Sequence, residues 1–491
     1  MATSPPPAPR VIIILLLAAA LLAYANAFTG AFQFDDTEVI FEDARLASAA
    51  AFGAKLDQMI RPFVKLTFLI DRGLYGDQPT GYHLFNLFFH LGSGLLLYGL
   101  LRSAVRMTAT KQELNSFGVP FWVTLLFLIH PTGTETVTYI SGRPTGMMTF
   151  FYLAALALYL RATPDDVPRP WLHISYWGAL ACFALALLCK ETAMTFPAIL
   201  LLWDLIVRRR QTGASGGWLR HRLTAWLPFW GMLLLAVWAA SAIPRYAYLA
   251  RHSLELRSVA DNLVAQINVV AYSLSLFVRP DRLTFDHDFP PYSSLLAWPT
   301  PASLALLAGL LVVAVVSARR RPLIGMGLLW FFVTLAPTNN VIPRFDLLSE
   351  RNLYLPSIGL FLAVVALLDE CTDSICSRLT DRTRRALALL PIAVAALLIT
   401  ATHVRNRVYA DQVAFWSDAA AKSPGKARAH NNAGYAYYLH GDFDRAIDHF
   451  RTAVTLDPDS DLARENLRLA WEARKGRLNH FANEPAPARM P

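Results

Sequence analysis

Two adjacent carboxylates, Asp35 and Asp36, stand in the run Phe32-Gln33-Phe34-Asp35-Asp36-Thr37, just past the first apolar stretch of the 491-residue chain. Neighbouring aspartates repel one another, and beside a membrane they cost desolvation free energy unless something cationic uses them. One can then act as a general base while the other orients it or binds a cation. Capping of a short helix is the plain alternative. Cations that could answer them recur along the chain in Arg61-Pro62, Ser141-Gly142-Arg143-Pro144, Lys190-Glu191 and Ser349-Glu350-Arg351-Asn352. Arginine suits a phosphate oxygen pair because its planar fork donates two parallel hydrogen bonds. Glu135, Glu191 and Glu350 are the carboxylates beside these cations, and each could equally close a structural ion pair. His83, Asn86 and His90 recur at i, i+3 and i+7, so they share one helix face pointing into a bundle, where hydrogen bonds between helices would satisfy them without catalysis. No spacing reads as a metal site. Cys182, Cys189, Cys371 and Cys376 fit neither a disulfide framework nor a zinc site and read as packing residues.

The elements that must position these groups are membrane helices. With 55% hydrophobic residues and a mean hydropathy of +0.36, the chain is too apolar for a soluble domain, whose apolar share is about 45–50%. Apolar segments fall near 11–27, 82–101, 118–130, 145–160, 172–189, 192–207, 223–243, 300–318, 323–337, 353–368 and 386–402, which predicts an all-α bundle of about eleven transmembrane helices. The net charge of +9 comes in short bursts between them: Arg102/Arg106/Lys111, Arg161/Arg169, Arg208 to Arg222, Arg319 to Arg321, and Arg378 to Arg385. All five fall on one side in this count, as the positive-inside rule requires, so the charge reports topology and no nucleic-acid partner is implied. The polar loops holding the residues above then share the extracytoplasmic side. A twelfth apolar run, Leu263 to Val278, breaks the alternation if it crosses and reads as a helix docking from outside. The first segment resembles a signal peptide ending in Ala25-Asn26-Ala27, but at about 1.5 Å per residue it spans roughly 26 Å, and retention as a helix is the preferred reading.

The C-terminal stretch changes character. Within 427–460, Gly434, Tyr437, Ala446, Phe450, Ala453 and Pro458 fall at the register of a tetratricopeptide repeat, where small residues let two antiparallel helices approach and aromatics fill the gap. Thirty-four residues upstream, Trp416, Ala419 and Pro424 mark the second helix of a degenerate preceding repeat, and Arg464 to Lys475 supplies a polar final helix. The expected division is a membrane domain over 1–404 and an extracytoplasmic repeat region over 405–491.

The stretches FDD (34–36), RP (61–62), GYHLFNLFFH (81–90), HPTGTETVTYISGR (130–143), CKETAMTFP (189–197) and SERNLYLPSIG (349–359), in that order and followed by the repeat, resemble the tetratricopeptide-repeat-containing C-superfamily membrane glycosyltransferases, whose eukaryotic members are protein O-mannosyltransferases. The chain departs from those members in carrying one full repeat, and in reading SGRPTG where an acidic residue often follows the arginine. The resemblance implies a polyprenyl-phosphate sugar donor, a protein or glycan acceptor hydroxyl, and an acidic residue of the first outer loop at the centre of chemistry. Asp35 or Asp36, with a slight preference for Asp36, is then the base. Arg61, His83, Asn86, Glu135, Arg143, Lys190, Glu191, Glu350 and Arg351 are the candidate substrate-binding residues. Participation of a divalent cation stays open. The expected location is a bacterial inner membrane with the site facing the periplasm. Two other functions fit the same residues: a scaffold displaying its repeat, and a transporter of a lipid-linked sugar.

Overall fold

The computed structural model describes residues 9–108, 117–164, 169–208, 216–290, 292, 294–340, 342–376 and 379–476; the Lys111, Arg209, Arg210 and Arg378 members of the basic bursts lie outside them. Among the described residues the chain is built of helices with no strand. In lipid every backbone N–H and C=O must be satisfied within its own segment, and an unbroken helix does that. Among the described residues, seven helical stretches are long and apolar enough to cross a bilayer: Pro9–Thr29, Pro79–Thr108, Ile140–Ala162, Arg222–Ser241, Thr300–Arg320, Glu350–Thr372 and Leu387–Tyr409. Val119–Ile129, Ile174–Cys189 and Pro322–Leu335 are shorter apolar helices. The chain is an integral membrane protein.

Every one of the eleven apolar segments falls on helix, but the sixth is broken. It runs as a 3-10 turn (Glu191–Thr195), an α-helix (Phe196–Leu202) and a π turn (Trp203–Arg208). The π turn carries a buried Asp204 that accepts from Tyr159 Oη at 2.6 Å and Trp226 Nε1 at 2.9 Å. The twelfth run is a helix, Val259–Leu276, outside the seven spans. Its Val269 and Leu276 pack with Leu283 against Phe331, Leu335, Leu348 and Leu353, and Asn262 Nδ2 donates to the Asn340 carbonyl at 2.8 Å. Of the cysteines, Cys189 is buried but Cys371 is exposed, so packing does not account for Cys371.

Small residues set how closely these helices approach. Gly327 and Gly359 face each other so tightly that a Cβ on either would overlap the other's carbonyl oxygen. That contact needs glycine, because dispersion between closely approached backbones replaces a hydrophobic driving force that lipid does not supply. Thr300–Arg320 and Leu387–Tyr409 turn Leu311, Val312, Val315, Leu389, Leu390 and Leu397 outward, the surface that lipid covers.

The loops gather at one end of the bundle. Arg208 and Arg222 meet at Thr163 at the other end, where Arg161 lies beside Met107. At the loop end, Gln412–Lys422, Ala427–Leu439, Phe443–Leu456 and Asp461–Arg474 form the C-terminal helices. Gly441 turns the central pair at φ +77°, and Phe450 packs onto Gly434, where a Cβ would stand 2.8 Å from its ring. Trp416, Ala419, Ala446 and Ala453 are fully buried, as the repeat register requires.

Candidate active site

The loop after the first helix is fastened from three directions. Gly30 gives its carbonyl to His83 Nε2 at 3.1 Å, and Ala31 N and Gln33 Nε2 both donate to the Tyr409 carbonyl at 3.2 Å. Phe34 is held at φ +39°, a left-handed conformation that a residue with a Cβ keeps only when its surroundings over-determine it. The two aspartates then part. Asp36 is fully buried, and its carboxylate accepts from Gln33 N at 2.8 Å, Ser141 N at 2.8 Å and Ser141 Oγ. It ties the first loop to the Ser141 turn. Asp35, whose amide donates to Tyr139 Oη at 3.3 Å, lines a cavity of about 720 Å³ together with Arg61, Ser141, Glu191, Arg245 and Arg351. Burial raises the Asp35 carboxyl above its ordinary range, opposed chiefly by the Arg351 charge. Burial pushes Asp36 up to about 7 against the pull of its hydrogen bonds.

A second chamber of about 230 Å³ shares Arg61, Ser141, Pro144 and Arg351 with the first. Lys190 and Arg344 complete its cations. Arg61 sits at φ +57° in front of the helix Pro62–Tyr75 and grips Glu191 with Nε at 3.2 Å and Nη2 at 2.9 Å. Burial would raise Glu191, but Arg61 outweighs it and holds the carboxyl at about 2. Lys190 Nζ donates to Thr145 Oγ1 at 2.8 Å and Asn352 Oδ1 at 2.9 Å, and burial lowers it well below its ordinary range. Arg351 is braced by Glu135, which accepts from Arg351 N at 2.9 Å and Ser349 Oγ at 2.8 Å, with Arg351 Nε 3.4 Å away. Arg344 makes no ion pair with a carboxylate among the described residues, and Asp346, also in the wall, is engaged by Arg428. A chamber lined by Arg61, Lys190, Arg344 and Arg351, sharing two of these with the cavity that holds a carboxylate of raised pKa, can bind an anion near a base.

The remaining candidates do not reach the cavity. Arg143 is wholly buried, pairs with Asp71 at 2.6 Å, donates to Asn86 Oδ1 at 2.9 Å, lies between the Phe68 and Phe85 rings and is in neither lining. Asn86 Nδ2 donates onward to the carbonyls of Tyr139 and Ile140, and His83 holds Gly30. Glu350 accepts from Thr284 N at 2.5 Å and faces His287 Nε2 at 3.2 Å. Glu135 braces Arg351 from behind. These four groups and Glu135 fasten the loops that carry the cavity residues, and none of them is in the lining of either chamber. His90 is likewise satisfied, by Tyr354 Oη at 2.6 Å and the Leu128 carbonyl at 3.0 Å.

Comparison with known proteins adds the relatives. Residues 427–460 match the tetratricopeptide repeat. The chain is 27% identical over 490 residues to protein O-mannosyl-transferase TMTC4 of Mus musculus, covering 88% of this chain and 64% of that one. It is 26% identical to protein O-mannosyl-transferase Tmtc3 of Drosophila melanogaster, covering 81% and 48%, and 24% identical to protein O-mannosyl-transferase TMTC3 of Homo sapiens, covering 91% and 52%. The chain therefore spans about half to under two thirds of the length of these relatives. No solved structure matches it. The resemblance drawn from the ordered stretches and the repeat holds.

What sequence reasoning missed is Arg344. It lies in Pro343-Arg344-Phe345-Asp346, inside a polar stretch recognised only as a loop. The available signal was a basic residue beside an aromatic, seven positions ahead of Arg351 in a loop of the same side. Tyr139 was also passed over, although it carries the Asp35 amide.

Proposed function

We propose that the chain is a membrane glycosyltransferase that moves a sugar, mannose by the names of its relatives, from a polyprenyl-phosphate donor to an acceptor hydroxyl on a protein. The observation that carries this reading is the placement of Asp35 on a cavity that shares Arg61 and Arg351 in its lining with the chamber of Lys190 and Arg344. The phosphate of the donor sits among the cations, and its negative charge, which grows as the sugar departs, is stabilised there without reorganisation. Asp35 takes the proton of the acceptor hydroxyl. The acceptor oxygen bonds to the anomeric carbon, the bond from that carbon to the phosphate oxygen breaks, and its electron pair leaves on the phosphate. A phosphate leaving group needs no protonation, so one base suffices, and the single displacement inverts the anomeric centre. Asp36 acts through position: it holds the Ser141 turn against the loop that presents Asp35.

Arg161, Arg208 and Arg222 of the basic bursts, at the opposite end of the bundle, support an extracytoplasmic cavity, with residues 1–404 forming the membrane domain and 405–491 an extracytoplasmic repeat region. The direct test incubates purified protein with candidate lipid-phosphate sugars and follows donor consumption with and without peptide acceptors. Acceptor-dependent consumption that disappears in Asp35→Asn is expected. Consumption of no donor, or undiminished transfer by the Asp35→Asn/Asp36→Asn double variant, overturns the reading.

A further inference from the structure

We infer that the C-terminal helices are a working part of this site: Trp416 sets the position of Asp35, and Arg428 sets that of Arg344. The inference rests on the reading of the cavity as a sugar-phosphate site. The base side is held through aromatic rings. Phe34, in its left-handed conformation immediately before Asp35, meets Trp416 edge-on at 5.3 Å between ring centroids and Phe285 at 5.7 Å. Phe285 packs in turn on Phe415 at 4.7 Å and on Trp416 at 5.7 Å. Tyr139, which accepts the Asp35 amide, stacks on Phe415 at 6.3 Å. Asp35 therefore has its preceding side chain and its own amide both referred to the helix Gln412–Lys422. Loss of that helix would remove the Trp416 ring from Phe34 and the backing of Phe285, so that Phe34 could relax from φ +39° and turn Asp35 out of the cavity.

The anion side is held through one guanidinium. Arg428, in the first helix of the full repeat, donates from Nε to Asp286 Oδ2 at 2.8 Å and from Nη2 to Asp346 Oδ1 at 2.7 Å, and lies 4.9 Å over the Phe345 ring. It joins the loop that carries Phe285 to the loop that carries Arg344. Lys422 Nζ to the Leu283 carbonyl at 2.8 Å, and Gly425 N to Asp288 Oδ2 at 3.1 Å, close the same seam. A helical knob held on for stability alone would not need contacts concentrated on the residues next to a base and next to an anion ligand.

The two arms have separable signatures, measured on the full-length protein. Trp416→Ala should lower kcat at least tenfold with the donor KM within about twofold, and Trp416→Phe should restore most of the loss by refilling the space over Phe34. Arg428→Gln should raise the donor KM at least fivefold with kcat within about twofold, Arg428→Lys should do so partly, and Arg344→Gln combined with Arg428→Gln should be no worse than Arg344→Gln alone. Arg464→Ala, on the exposed far side of the last helix, should change neither. Retention of a sugar-free short-chain polyprenyl monophosphate by the purified protein reads the Arg428 arm without turnover. Retention that loosens in Arg428→Gln supports the inference even if no donor is consumed, in which case the transferase reading alone fails. Turnover and retention unchanged in both variants, or reduced only in proportion to the folded fraction seen by melting, overturns the inference. So does a wild-type protein that retains no lipid phosphate.

Discussion

At the residue scale, a single peptide step separates two carboxylates with different work. Asp36 is consumed by Gln33 and Ser141, whereas Asp35 is left facing the cavity. Asp35→Asn keeps the shape and removes the proton acceptor, so turnover should fall by about 10²–10⁴ with donor binding retained, measured by single-turnover kinetics and lipid retention. Arg351→Lys keeps the charge but loses the fork, so both donor binding and turnover should weaken. The pH dependence follows from burial. Because Asp35 is raised above its ordinary 3.8, transfer should be lost as pH falls through a value above that figure. Arg351→Gln removes the charge that opposes the rise and should move this limb to higher pH. Stability runs the other way for Asp36. Its folded value is about 7 against an ordinary 3.8, so between those values the folded state binds more protons than the unfolded one. Stability is then full below the lower value and declines as pH rises through the upper. The melting temperature of Asp36→Asn should therefore change less than that of the parent protein between about pH 5 and about pH 7.

At the scale of the element, the site depends on turns and crossings that admit no side chain. Gly142, between Ser141 and Arg143, sits where a Cβ would overlap the Glu135 carbonyl oxygen. That oxygen belongs to the backbone of the residue bracing Arg351, and it cannot swing away. Gly142→Ala should displace the Ser141 turn, freeing one side of Asp36 and moving Arg351, and should abolish transfer while most of the bundle stays folded. Intact protease resistance with lost activity is the expected result, and full activity would contradict the packing. Gly359→Val opens the crossing between Pro322–Leu335 and the Glu350–Thr372 helix, and should cost about 1–3 kcal/mol or more as a lowered melting temperature. Arg351 stands at the mouth of that same helix, so donor binding should weaken with it.

Across the whole molecule, the loops that line the cavity converge at one end, and Arg161, Arg208 and Arg222 of the basic bursts lie at the other. If the cavity faces away from the cytoplasm, Thr455→Cys should react in intact cells with a membrane-impermeant reagent, and Arg320→Cys should react only after permeabilisation. The labelling needs a Cys371→Ser background because Cys371 is exposed. Labelling in the opposite pattern would invert the orientation and with it the proposed side of transfer.

Composition and periodicity determined the helical class, the membrane location and the repeat over 427–460, because lipid and the repeat register each constrain residue type at every turn of helix. The same patterns gave the expectation that the loops share one side, since charge between apolar runs accumulates where translocation is costly. Tertiary structure alone decided which polar residues meet. Arg143 and Arg351 look alike in sequence, each beside a small residue or a carboxylate in a polar loop, yet one is spent on Asp71 and Asn86 inside the bundle and the other reaches the cavity. A charge in a loop must be neutralised or solvated, and the partner that does so lies far away in the chain: 72 positions for Arg143 and Asp71, 216 for Arg351 and Glu135. Local pattern carries no record of such distances, and for the same reason the hold of Trp416 on Phe34 and of Arg428 on Asp346 became visible only once the helices were packed.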